Sequence, residues 1–269
     1  MNTKMNWKKL NLINILWVAF FIVSCGEQYQ TTEKGMKYKL HHQEDGPAPE
    51  KGDIIEMHIV YKQGDTAITN SYRDGEPVLM RLKEASYKGD IMDGLAKLGI
   101  GDSATFHLDP EEVHGDFVPK HLQENPQITY HVKILDFWNE DEKIDDFIEK
   151  EGLEMERTES GLRYNYTERG DGASPEKGDY VTTHFTGKLL DGEVFESSYD
   201  DEPFSFTAGY DHPVKGWDEM VMKMQEGDKA QVLIPSSLAY KEGGTDFGIP
   251  PFATLFMEIE LLEVSEREK

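Results

Sequence analysis

The chain has 269 residues, 38% hydrophobic and 11% aromatic, enough for about two packed domains at roughly 150 residues each. Its 52 acidic residues against 28 Lys and Arg give a net charge of −24, which repels phosphate backbones and argues against nucleic acid as a partner. A single cysteine excludes an internal disulfide and a cysteine-paired zinc site.

The chain opens with Lys4, Lys8 and Lys9 and no acid before residue 25, then an apolar run from Leu10 to Val23 broken by Asn11 and Asn14. A charged n-region ahead of an apolar stretch of about 14 residues is a signal-peptide pattern, too short to span a bilayer comfortably. The run ends Ile22-Val23-Ser24-Cys25, on the chain's one cysteine. Read from residues alone, this is a plain signal peptide or an anchor helix with an incidental cysteine. It also resembles the lipobox of bacterial lipoproteins, in which the cysteine is diacylated, and that resemblance implies lipidation at Cys25. Loss of residues 1–24 leaves 245 residues and takes the net charge to −27. Two or more acyl chains anchor stably where one does not. Gly26, by analogy with enterobacterial sorting, points to the outer membrane facing the periplasm. Residues 25–34 read as a polar tether.

The rest of the chain repeats itself. Gly35-Met36-Lys37-Tyr38 returns as Gly161-Leu162-Arg163-Tyr164, and Pro49-Glu50-Lys51-Gly52-Asp53 returns unchanged as Pro175-Glu176-Lys177-Gly178-Asp179. His58 matches His184, Glu76-Pro77 matches Glu202-Pro203, and Gly101-Asp102 matches Gly227-Asp228, each pair 126 apart. So long a period is a domain rather than a solenoid unit. Two copies of one fold are expected, at 35–138 and 161–269, joined by a linker at 139–160. In the linker, Asn139 with Glu142 reads as an N-capping pair, Ile144, Phe147 and Ile148 form an apolar stripe, and Gly152 is a stop signal. This predicts an amphipathic helix of about ten residues.

In the second copy Val181, Thr183 and Phe185 alternate on one strand, Ala230, Val232 and Ile234 on another, and Leu255, Met257, Ile259 and Leu261 on a third. Trp217, Met220, Val221 and Met224 have helical spacing, with Gly227 as the stop. Strands around one central helix predict an α+β domain with an antiparallel sheet curled over the helix.

His184-Phe185-Thr186-Gly187, Leu190-Asp191-Gly192, Phe195-Glu196-Ser197-Ser198, Gly216-Trp217, Gly227-Asp228, Ala239-Tyr240, Gly248-Ile249-Pro250-Pro251 and Ala253-Thr254-Leu255 then follow in order. The series resembles the FKBP-type peptidyl-prolyl cis-trans isomerases, strongly over 161–264 and weakly over 35–138. The resemblance implies two tandem FKBP-like domains of α+β class joined by a connecting helix. It implies an isomerase acting on X-Pro segments of unfolded or partly folded proteins in the cell envelope, without cofactor, metal or covalent intermediate, and open to macrolide inhibitors. Trp217 is then the floor for the proline ring. Phe185, Phe195, Phe204, Val214, Ile249 and Met257 are walls, with Phe206 close behind. Tyr240 offers its hydroxyl and Val214 its backbone N–H. Taken singly, Phe185, Phe195, Met257 and Trp217 read equally as core residues. The common family members carry Tyr at the Phe185 position and Asp at the Glu196 position, which bond to each other. That orienting contact is lost here, and the flap 241–249, with Gly243-Gly244 and Phe247, also departs from the common form.

The first copy places Ile59, Ile68, Thr69, Val78, Ile91, His114 and Tyr130 opposite Phe185, Phe195, Glu196, Phe204, Trp217, Tyr240 and Met257. An aliphatic residue offers no flat floor to a proline ring, so this copy is expected to be inactive and to serve in client binding, dimerisation or spacing. Seven of the nine histidines lie in it, with His107, His114 and His121 at intervals of seven. They read as scattered polar positions, a metal site being the alternative. The competing function is a non-catalytic chaperone or peptide-binding module using both copies.

Overall fold

The computed structural model describes residues 29–114, 118–120, 123, 126–199, 201–246 and 248–265. Cys25, His121 and Phe247 lie outside them. Within the described residues the chain forms two seven-stranded antiparallel sheets of the same topology. The first runs Gln30–Thr31, Lys37–His42, Ser103–Leu108, Ile128–Trp138, Ile54–Gln63, Thr66–Asn70, with Val78–Arg81 also on Ile54–Gln63. The second runs Glu156–Arg157, Arg163–Glu168, Lys229–Ile234, Leu255–Ser265, Tyr180–Leu189, Val194–Ser197, with Phe204–Thr207 also on Tyr180–Leu189. The class is α+β: Ile91–Leu95 lies against the first sheet and Lys215–Val221 against the second, with further short helices at Ser71–Asp74 and Pro110–His114 in the first domain.

The repeated sequence makes repeated structure. In both copies of Pro-Glu-Lys-Gly-Asp the aspartate, Asp53 or Asp179, accepts from the N–H of the glutamate at 2.8 Å. The intervening Gly52 and Gly178 sit at φ of 104° and 103°, a left-handed conformation that a Cβ would strain. Asp102 and Asp228 are likewise buried turn-formers, each accepting from two backbone N–H groups. Strand alternation follows the expected period: on Tyr180–Leu189 every second residue from Val181 to Leu189 is buried.

Three features differ from the sequence expectation. Gln30–Thr31 and Glu156–Arg157, assigned to tether and linker, each add an edge strand, because their backbone groups pair with the strand that follows. The helix expected to reach Gly227 is Lys215–Val221 only. Lys223 and Met224 N–H groups fall back three residues, Gln225 N–H goes to Asp228, and Glu226 N–H goes to Ala173, so the backbone is committed elsewhere. Met224 stays buried from that turn.

The connecting helix, Glu140–Glu151, is capped by the Asn139 side chain, which accepts from Asp141 and Glu142 N–H, and closes on Gly152 in the left-handed conformation. Ile144 is fully buried, and Phe147 meets Phe256 of the second sheet at 5.4 Å. Arg163 of that sheet reaches Asp141 and Asp145 on the helix. The helix is thereby fastened to the second domain.

Candidate active site

Three elements converge on one cluster in the second domain. Strand Tyr180–Leu189 supplies Phe185, buried at 3% exposure. Strand Phe204–Thr207 pairs with it, Thr183 opposite Phe204, and carries Phe204 and Phe206. Helix Lys215–Val221 presents Trp217. The indole meets Phe185 at 4.5 Å, Phe204 at 5.6 Å and Phe206 at 6.1 Å between ring centroids, two of these edge-to-face, the geometry that aromatic quadrupoles favour. Trp217 is 6% exposed, and its Nε1 has no hydrogen-bond partner among the described residues. A buried donor left so costs about 1–3 kcal/mol, a cost more often carried at functional sites than in plain cores.

The other expected wall residues border this cluster. Val214 caps the helix, its carbonyl accepting from Trp217 and Asp218 N–H at 3.1 Å. Met257 lies opposite Gly187 across the central strand pair. A Cβ on Gly187 would stand 2.4 Å from Cζ of Phe195 and 3.1 Å from Sδ of Met257. The half-buried Phe195 ring therefore lies over a strand position that only glycine leaves open. Ile249 is buried, bracketed by hydrogen bonds with Thr245. Tyr240 follows the short turn Ser236–Leu238 and is half-buried. Burial, and then the negative charge of Glu196, push its phenol pKa up, so the hydroxyl remains a donor at neutral pH. Glu196 is exposed on strand Val194–Ser197, close enough to exert that effect. Phe185 has no hydroxyl to orient it.

Residue-by-residue reading of the sequence missed three supports. Gly187 is one, and an inward-facing glycine within an alternating strand was the available signal. Asp218, 3% exposed, accepts from Gly209 and Asp211 N–H at 2.8 and 2.7 Å and fixes the loop leading into Val214. Ser198 Oγ accepts from Phe185 N–H at 2.9 Å and touches His184 Nδ1, which stacks on Tyr199. The first copy retains this last device, with Ser71, Ile59, His58 and Tyr72 in the same bonds. It does not retain the aromatic cluster. Tyr61 occupies the Gly187 position and stacks at 4.8 Å on Tyr130, the Met257 counterpart. Ile68, in the place of Phe195, is turned out at 53% exposure, and Ile91 replaces the indole.

The family pattern falls within the same domain, and the alignments to relatives extend beyond it. The pattern described as FKBP-type peptidyl-prolyl cis-trans isomerase matches residues 172–262. A probable FKBP-type peptidyl-prolyl cis-trans isomerase, FkpA, of Neisseria meningitidis is 31% identical over 205 residues, covering 74% of this chain and 74% of that protein. This chain belongs to the FKBP-type peptidyl-prolyl cis-trans isomerases. The FKBP-type 22 kDa isomerase of Escherichia coli is 43% identical over 122 residues, 45% of this chain and 57% of that protein's length. The crystal structure of FkpA from Escherichia coli is 35% identical, with a TM-score of 0.43 over 47% of this chain and 60% of that one.

Proposed function

We propose that the protein is a prolyl isomerase of the bacterial cell envelope whose working site is the aromatic slot of the second domain, 161–269. In this reading the first domain, 35–138, is an inactive copy, and residues 139–160 link the two. The observation that carries the proposal is the convergence of Phe185, Phe204 and Phe206 on the Trp217 indole, with the half-buried Phe195 ring laid over Gly187.

The chemistry asks for such a surface. Amide resonance sets a rotation barrier of about 18–20 kcal/mol. The planar amide is more dipolar than the twisted transition state, so water favours the former, and an apolar slot removes that preference. Trp217 and its aromatic walls take the proline ring, while Val214 N–H and the Tyr240 hydroxyl bond to carbonyls of the twisted peptide. Interactions of this kind count only to the extent that they are stronger in the transition state. A millionfold acceleration needs about 8 kcal/mol.

In an isomer-specific proteolysis assay on short X-Pro peptides, the full chain is expected to speed the slow phase well above buffer. A rate equal to buffer would instead leave both domains as a non-catalytic peptide-holding module. An FK506-binding protein of Candida glabrata is 41% identical over 112 residues, which supports macrolides as inhibitors here, a titration that quenching of Trp217 fluorescence would follow.

The anchoring proposal rests on the Ser24-Cys25-Gly26 sequence behind its apolar run. Cys25→Ala is expected to move the protein from the membrane to the soluble fraction of lysed cells. Continued sedimentation with membranes would count against lipidation.

A further inference from the structure

Glu140, the first residue of the connecting helix, is only 8% exposed although its place in the helix is one where acids ordinarily face water. Its carboxylate is fully engaged. Oε1 accepts from Ser236 N–H at 2.6 Å and from Thr254 Oγ1 at 3.0 Å; Oε2 accepts from Ser236 Oγ at 2.9 Å and from Arg81 Nη2 at 2.7 Å. Burying a carboxylate is unfavourable unless its lone pairs are used and an opposite charge stands close, and both conditions hold here.

Ser236 and Thr254, both buried, are the two ends of one loop. That loop carries Tyr240 and Ile249, and its interior is closed by bonds from Lys241 N–H to Ser236 O, Phe252 N–H to Lys241 O and Thr245 N–H to Ile249 O. A single carboxylate from the linker thus gathers both ends of the segment that forms one side of the slot. Arg81 comes from the last position of a first-domain strand. Besides the Glu140 pair it bonds Ser236 Oγ at 3.0 Å and Gly52 O at 3.0 Å, and its guanidinium lies 5.3 Å from the Phe252 ring centroid. Among the described residues the first copy shows no such arrangement: Pro110 stands in the Ser236 position, without an N–H to donate.

We propose that Glu140 is a positioning residue for the isomerase site, and that Arg81 makes the first domain part of the same device. The carboxylate fixes loop 236–254 so that Tyr240 and Ile249 stand at the slot, and Arg81 orients it while covering Phe252. The inactive copy then acts on the activity of its neighbour through one ion pair. The proposal rests on the isomerase reading above for its activity arm, and on the loop geometry alone for its structural arm.

The test is hydrogen exchange of the full chain by mass spectrometry, paired with X-Pro peptide kinetics. Glu140→Ala is expected to speed exchange within 236–254 by about tenfold or more while the strands Tyr180–Leu189 and Lys229–Ile234 keep wild-type protection. It should lower kcat/KM by about five- to twentyfold. Glu140→Gln keeps one oxygen for Ser236 N–H and Thr254 Oγ1 but turns an amide NH2 toward Arg81, so it should restore only part of both, to about the level of Arg81→Gln. Arg81→Gln leaves the Ser236 and Thr254 bonds in place and so holds the fold even if Glu140→Ala does not. It should show the same loop-confined exchange with a loss of about threefold in kcat/KM. Unchanged loop exchange, exchange raised equally through both sheets, or a loosened loop with undiminished activity would each overturn the proposal. A wild-type chain that does not isomerise defeats the isomerase reading, and the exchange pattern still decides the clamp.

Discussion

Trp217→Ala is expected to cost at least about a hundredfold in kcat/KM, or about 2.7 kcal/mol of transition-state stabilisation. The indole is the surface on which Phe185, Phe204 and Phe206 meet, so its removal takes away the floor and leaves three rings free to collapse inward. The same change should lower stability by about 3–5 kcal/mol, the usual cost of truncating a buried aromatic. Against a total of about 5–15 kcal/mol for an ordinary domain, that is severe but survivable. The two effects are separable. Activity should be measured at a temperature where circular dichroism shows the variant folded, with Trp217→Phe beside it. Phenylalanine keeps a flat apolar face, and it should recover much of the stability and about a tenth of the activity. A folded Trp217→Ala chain that isomerises at the wild-type rate would remove Trp217 from the site.

What sequence alone revealed, and what it hid, divides along range of interaction. The repeat at 126 residues exposes two domains because turn chemistry is local: Pro-Glu-Lys-Gly-Asp makes the same hydrogen-bonded turn wherever it stands. Strand faces are legible for the same reason, since the period of two comes from the backbone. Trp217 becomes a candidate site residue only through family resemblance, because spacing on a helix suits a core tryptophan equally well. The end of that helix was misplaced because Met224 continues the apolar spacing while its backbone has already turned away to Asp228 and Ala173. Glu140 was hidden more completely. In sequence it is an acid beside a helix cap, four residues before Ile144 and so on the same helical face as the stripe. Its partners Ser236, Thr254 and Arg81 lie far off along the chain. Helical spacing puts it on the stripe's face, but no local rule supplies those distant partners.

Gly187 did leave a local signal, an inward-facing glycine on an alternating strand, and it carries the second large effect. Gly187→Val is expected to reduce kcat/KM by about ten- to a hundredfold, while stability falls only by the 1–3 kcal/mol or so of an overpacked site. The valine Cβ alone would stand 2.4 Å from Cζ of Phe195, so one of the two must move. Phe195 is the one that can, being half-buried on a short strand near the sheet edge, whereas Met257 is held in the central strand pair. The first domain already contains the outcome. With Tyr61 at this position, stacked on Tyr130, the residue in place of Phe195 faces solvent at 53% exposure. The fold accepted a side chain there and gave up its wall. The variant should therefore melt lower by about 4–8 °C for each kcal/mol lost yet stay folded, bind a macrolide weakly and turn over X-Pro peptides slowly. Wild-type kinetics in a folded Gly187→Val chain would show that Phe195 contributes nothing to the slot. A loss of fold with no soluble protein would show instead that the glycine serves packing alone.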